Sequence, residues 1–175
     1  MKKTILILLA LISVLGINAQ GRVSEICGVY FGASYEQAKR ILSTKFGEPF
    51  TADTNKLQFN YKQYGGFNFS SIIFVFQRDG AASYLNACIM GSDCKTKEEA
   101  QRQCYQYYLR LSSKYNLESF TTNDGETAYS GGIAPRGDGD AICIDYVKYD
   151  TPTASGNWYF ARIYYGPFQY VKEDF

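Results

Sequence analysis

Few side chains in this sequence can do chemistry, and their spacing narrows the choice further. Among the 175 residues there is no histidine. That removes Ser-His-Asp and Cys-His catalysis, histidine-ligated zinc and the usual general base near neutral pH. Two sets of oxygen ligands remain. Asp138 and Asp140 lie in a glycine-rich stretch, with Asp145 farther along. A pair of carboxylates across a cleft is what a small hydrolase of the glycosidase type needs, while Asp-Gly-Asp is equally ordinary turn chemistry. Asn123, Asp124, Glu126, Asp138 and Asp140 together offer oxygens of the kind that calcium takes, but without the residue order of an EF-hand loop. A solvated loop explains the same residues.

The five cysteines, Cys27, Cys88, Cys94, Cys104 and Cys143, include no Cys-x-x-Cys pair. With no histidine nearby, nothing in the sequence lowers a thiol pKa, so structural disulfides or buried thiols are expected rather than a nucleophile. An odd count leaves at least one thiol free or paired between chains. Cys88 and Cys94 are close enough in sequence to staple a strand end to the loop after it. No metal or cofactor site is assigned.

The third set is aromatic. Trp158, Phe160, Arg162 and Tyr164 alternate along one strand-like run and project to one side of it. Carried to the first half of the chain at the repeat spacing described below, that side takes in Phe74, Phe76 and Tyr84, together with Asn86. Large aromatics mixed with an arginine and an aspartate are the composition of partner-binding surfaces, for a protein, a peptide or a glycan. The alternative is ordinary core, covered by the C-terminal tail (Phe168, Tyr170, Phe175), a loop or a second copy. A one-residue slip in the strand register would invert the assignment.

The elements that must position these residues are legible as a repeat. Leu42, Ser43 and Lys45 are matched by Leu111, Ser112 and Lys114 at an offset of 69 residues, and the same offset lays residues 71–75 on residues 140–144. Ser34 with Gln37, and Thr96 with Glu99, are capping boxes that open two helices. The first is expected from about Tyr35 to Phe46, with Ala38, Ile41, Leu42 and Phe46 on one face. The second is expected from about Lys97 to Tyr115. Gly47 and Asn116 suit positive φ at the helix ends, and Pro49 blocks continuation of the first. Each helix is followed by three expected strands: Leu57 to Tyr61, Phe69 to Gln77 and Ala82 to Met90 after the first, the last two joined by a hairpin turn at Arg78 to Ala81, and Thr127 to Ser130, Ala141 to Tyr149 and Asn157 to Tyr165 after the second. Val29 to Phe31 is a possible short strand before the first helix. The expected fold is α+β, helix-strand-strand-strand twice, with both helices on one face of an antiparallel sheet. Its parts are residues 1–19, 20–92 and 93–175, the last two forming one compact domain.

Residues 1–19 read as a secretory signal: Lys2 and Lys3, an apolar run from Ile5 to Ile17, and Ala19 at a cleavage point. The run is short for a membrane span of about 20 residues, although an uncleaved anchor is the alternative. A bacterial periplasmic or secreted protein is expected, with no membrane attachment once the signal is cleaved. Setting Lys2 and Lys3 aside leaves 16 basic residues against 17 acidic ones. That balance points away from nucleic acid, whose phosphates demand cations.

Gly28, Val29, Tyr30, Phe31, Gly32, the Ser34-capped helix with Ala38 and Leu42, and then Phe46, Gly47, Glu48 and Pro49 resemble the start of SmpA/OmlA-type (BamE-like) outer-membrane assembly proteins. The doubled arrangement is similar to the β-lactamase inhibitor protein architecture. The resemblance implies tandem helix-plus-sheet units presenting a sheet to a partner, a non-enzymatic interaction role, and no catalytic residues. In the second half Asn116 stands in place of the glycine and no proline follows, and no lipidated cysteine precedes the first.

Overall fold

The computed structural model describes residues 21–135 and 139–168. The expected signal, Asp138 and the tail residues Tyr170 and Phe175 lie outside them. The fold is α+β, and the described residues form two helices, an eight-stranded antiparallel sheet and a two-stranded hairpin. The hairpin is β1 (Glu25–Ile26) and β2 (Val29–Tyr30). After it come α1 (Tyr35–Phe46), β3 (Thr51–Asp53), β4 (Lys56–Tyr64), β5 (Phe67–Asp79) and β6 (Ala82–Cys94). Then follow α2 (Lys97–Tyr115), β7 (Glu118–Thr121), β8 (Thr127–Ile133), β9 (Asp140–Lys148) and β10 (Tyr159–Tyr165). Each helix therefore precedes four strands, not three; the short edge strands β3 and β7 carry no apolar alternation by which they could be read. The expected division at residues 92 and 93 falls inside β6, just before its end at Cys94.

The helix ends follow from capping chemistry. Ser34 Oγ accepts from Gln37 N, and Gln37 Oε1 accepts from Ser34 N at 3.2 Å, so two otherwise unpaired donors are satisfied reciprocally. Thr96 Oγ1 accepts from Glu99 N at 3.2 Å, but the Glu99 carboxylate reaches one residue further back, to Lys95 N at 2.8 Å. Asn116 closes α2 in the left-handed region with φ 51 and ψ 56, a conformation asparagine tolerates better than most residues. Gly47 closes α1 at φ 81. Ala38, Leu42 and Phe46 are buried, whereas Ile41 is 37 % exposed and lies off the buried face.

The sheet runs β3-β4-β5-β6-β10-β9-β8-β7. The last strands of the two sequence halves are thus neighbours at its centre, paired from Cys88↔Tyr165 to Cys94↔Tyr159. One row of the buried side reads Phe59, Ile72, Met90, Ile163, Ile144, Tyr129 across six strands. The first five of these are buried and Tyr129 packs against them at the margin. α2 contacts β10, β9, β8 and also β6 of the first half. Its fully buried Tyr107 stacks on Phe69 with ring centroids 5.7 Å apart and meets Phe67 edge-on. Beyond the end of β10 the chain continues along β6, where Phe168 N donates to Asn86 O and the Phe168 ring packs on Phe31 at 4.4 Å. Among the described residues no helix is long and apolar enough to cross a membrane.

Candidate functional site

Both helices of the described residues lie on one side of the sheet, and among these residues no helix covers the other side. Its residues follow from the register. One row across it reads Gln58, Ile73, Ile89, Tyr164, Cys143, Ser130, and the next reads Asn60, Ser71, Gly91, Arg162, Asp145. A third brings together Asp93, Phe160 and Val147. Except for Gly91, all of these are half-buried, none being as sealed as the row beneath the helices. Trp158, just before β10, is 40 % exposed.

Phe160, Arg162 and Tyr164 therefore occupy the uncovered side, and Trp158 follows their alternation. Tyr84 shares it by register, pairing with Gln77. Phe74 and Phe76 do not: they are 0 % and 3 % exposed, in the core on the helix side. Their assignment is corrected for a simple reason. The helices repeat at an offset of 69, an odd number, whereas Ile72 and Phe74 of β5 face inward as Ile142 and Ile144 of β9 do, which requires an even one. With a side-chain period of two, that single residue turns the whole set over. A break in register between Val75 and Phe76 then pairs Phe76 with Leu85 and leaves Asn86 unpaired opposite, which places Tyr84 on the face opposite to Phe76.

The uncovered side is organised around a bidentate ion pair. Arg162 Nε and Nη2 donate to the two Asp145 carboxylate oxygens at 2.6 and 3.0 Å. Those hydrogen bonds raise the guanidinium pKa further against the opposing effect of burial, and the fork geometry fixes both side chains in place. Beside it the Phe160 ring occupies the space above Gly91, where a Cβ would lie 2.3 Å from Phe160 Cζ. Tyr149 donates to Asp93 Oδ1 at 2.7 Å, and its ring lies 6.3 Å from that of Phe160. Lys148 Nζ lies 5.9 Å from the Trp158 ring centroid. The result is a rigid surface of mixed aliphatic, aromatic and clamped charged groups.

The carboxylate sets are not brought together in this way. Asp140 accepts from Ser130 Oγ at 2.5 Å at the edge of the sheet, while Asp145 belongs to Arg162. Each of the two carboxylates is thus engaged by a different partner. Glu126 accepts from Lys97, from Gln101 at 3.2 Å and from Tyr146 at 2.5 Å, so its oxygens are already engaged. Among the described residues no group of three or more metal-ligating side chains forms a cation site.

All five cysteines are free thiols. Cys88 and Cys94 cannot be a staple: six residues along one strand separates them by about 20 Å, against the roughly 7 Å limit for a disulfide. Burial pushes the Cys27 and Cys104 thiols up to about 12 and raises those of Cys88, Cys94 and Cys143. The shift is away from the thiolate that a nucleophile needs. Cys104 Sγ donates to Asp145 O at 3.0 Å, so this thiol serves the backbone beneath the ion pair.

Sequence reasoning missed Ile73, Val75 and Ile89 on the uncovered side. Odd-numbered positions of β5 and β6 hold them, and the Arg162 and Asp145 positions could have led there once the strand pairing was known. No known protein family matches the chain, and no curated protein or solved structure does.

Proposed function

We propose that this chain is an exported, non-enzymatic binding protein that docks another protein, or a peptide of one, on the uncovered side of its sheet. The single observation that carries the reading is the row Ile73, Ile89, Tyr164, Cys143, half-exposed across four central strands and flanked by the Arg162–Asp145 pair. Apolar anchors around a fixed charge pair are what a protein partner's side chains fill and align to. The aliphatic content favours peptide side chains over sugar rings, which stack on broad open aromatic faces. Phe160, Arg162, Tyr164, Tyr84 and Trp158 form the binding set, joined by Ile73 and Ile89.

The helix-plus-four-strand order used twice, with its last strands meeting at the centre of the sheet, supports descent of the two halves from one copied module. It also supports the likeness to SmpA/OmlA-type and β-lactamase inhibitor protein-like architectures as a likeness of build and role. The lysine-led apolar start supports a bacterial periplasmic or extracellular location.

Photo-crosslinking in the native cell tests the docking surface. A benzophenone amino acid replacing Tyr164 is expected to give a discrete protein adduct. The same group replacing Leu109, which is 49 % exposed on α2 on the other side of the molecule, is expected to give none. Ile89→Lys should abolish the adduct while leaving the far-ultraviolet circular dichroism unchanged. No adduct from position 164, or the same adduct from both positions, would exclude this surface.

A further inference from the structure

On the helix-bearing side, away from the surface just described, a half-open cleft of about 550 Å³ lies between α2, the β1–β2 hairpin and the β4–β5 turn. We infer that it binds a small amphiphile with an anionic head and an apolar body. The floor is built from the core itself: Phe69, Met90 and Ile163, each buried, come from β5, β6 and β10. Phe67, Ile26 and Leu111 extend the apolar wall. The volume falls within the roughly 300–1,000 Å³ typical of small-molecule sites, and an apolar lining with a few polar groups is their usual composition.

The mouth supplies the sign of the head group. Arg110 and Lys114 stand one turn apart on α2, and Arg22 reaches in from the segment before β1. All three are exposed, and none forms an ion pair with a carboxylate of the described residues. Among the described residues Glu25 is the single acidic group of the lining, set against the three cations. Lys45 stands outside the lining and braces it, its Nζ donating to Cys27 O at 3.2 Å and lying 5.0 Å from the Tyr64 ring centroid. An anionic head placed at this mouth meets an excess of positive charge, while its apolar body displaces water from Phe69, Met90 and Ile163. A cationic or neutral amphiphile gains only the second effect.

Three lines of the molecule fix this geometry. Arg22 is held because Val23 N donates to Ile133 O and Ile133 N donates to Gly21 O, at 2.9 and 2.7 Å. The hairpin is held by Phe31 N donating to Ser24 O at 3.1 Å. α2 is anchored by Tyr107 and Tyr115, both buried. The cations thus come from two separate fixed elements, Arg110 and Lys114 from α2 and Arg22 from the segment before β1.

Isothermal titration of the purified chain with dodecanoate, dodecyl phosphate and dodecyltrimethylammonium below their micellar concentrations tests the site. One-to-one binding of at least one of the two anionic probes is expected, at least tenfold tighter than that of the cation. Arg110→Glu and, separately, Arg22→Glu should each weaken the anionic probe at least tenfold. Both positions are exposed, so unchanged circular dichroism is expected to accompany the loss. Tyr164→Glu, on the opposite side of the sheet, should leave binding as it was, so the outcome is independent of the docking surface. Equal binding of anionic and cationic probes, unchanged affinity in both charge-reversed variants, loss of binding in Tyr164→Glu, or no binding of either anion would overturn the assignment.

Discussion

Glu126 shows how a carboxylate that has the makings of a metal ligand is turned to structural use. It follows the turn before β8 and receives hydrogen bonds from the Lys97 ammonium, the Tyr146 hydroxyl and the Gln101 amide. The Lys97 hydrogen bond is the main reason its carboxyl is held below the ordinary range, with the Tyr146 hydroxyl next. Tyr146 is pushed in the other direction, up to about 12, by burial and by the same carboxylate. A carboxyl whose folded pKa is depressed contributes stability in full above its unfolded value of about 4.3, and loses it as pH falls through the folded value. Glu126→Gln should therefore lower the Tm at pH 7 and at pH 6 by the same small amount. The gap between variant and wild type should narrow progressively below about pH 4. Differential scanning calorimetry from pH 3 to pH 7 checks it; a gap that widens on acidification would contradict the ion-pair account.

At the scale of elements, local chemistry and long-range pairing were unequally legible. The helices were readable almost to the residue because their signals are local: Ser34 with Gln37, Thr96 with Glu99, Gly47 and Asn116 each act within one turn. The long strands were readable as apolar runs. Which way they faced was not, since Phe74 and Phe76 turn on one residue of offset between the halves and on a register break that only the partner strand imposes. The tight fit of Gly91 beneath Phe160 was likewise invisible, because the two residues meet only through the β6–β10 pairing. That fit makes a sharp prediction. Gly91 has no need of a left-handed backbone, so alanine there is opposed by the ring alone. Gly91→Ala should cost about 1–3 kcal/mol in urea unfolding, as overpacking does. In the Gly91→Ala, Phe160→Ala double variant the two effects should be less than additive by at least about 0.5 kcal/mol. Strict additivity would mean the ring moves aside freely and the uncovered side is softer than its register implies.

At the scale of the whole molecule the question is whether the two sequence halves are two folding units or one. Each has its own helix and four strands, which would suit independent folding. Two features oppose that. The central seam joins β6 to β10 over seven register pairs, so separating the halves exposes two full strand edges at once. And α2, from the second half, packs on β6 of the first and carries Tyr107 onto Phe67 and Phe69 of β5. The buried cluster is accordingly continuous from Leu42 and Phe59 at one end to Ile144 at the other. A single cooperative transition is therefore expected, with Trp158 fluorescence and far-ultraviolet circular dichroism giving coincident curves. Ile163→Ala, at the seam and 3 % exposed, should shift both curves together by about 2–5 kcal/mol. If fluorescence and circular dichroism separate, with Ile163→Ala moving only the Trp158 curve, the second half unfolds by itself. The shared sheet would then be an association of two domains, and its uncovered side a surface that either half could open.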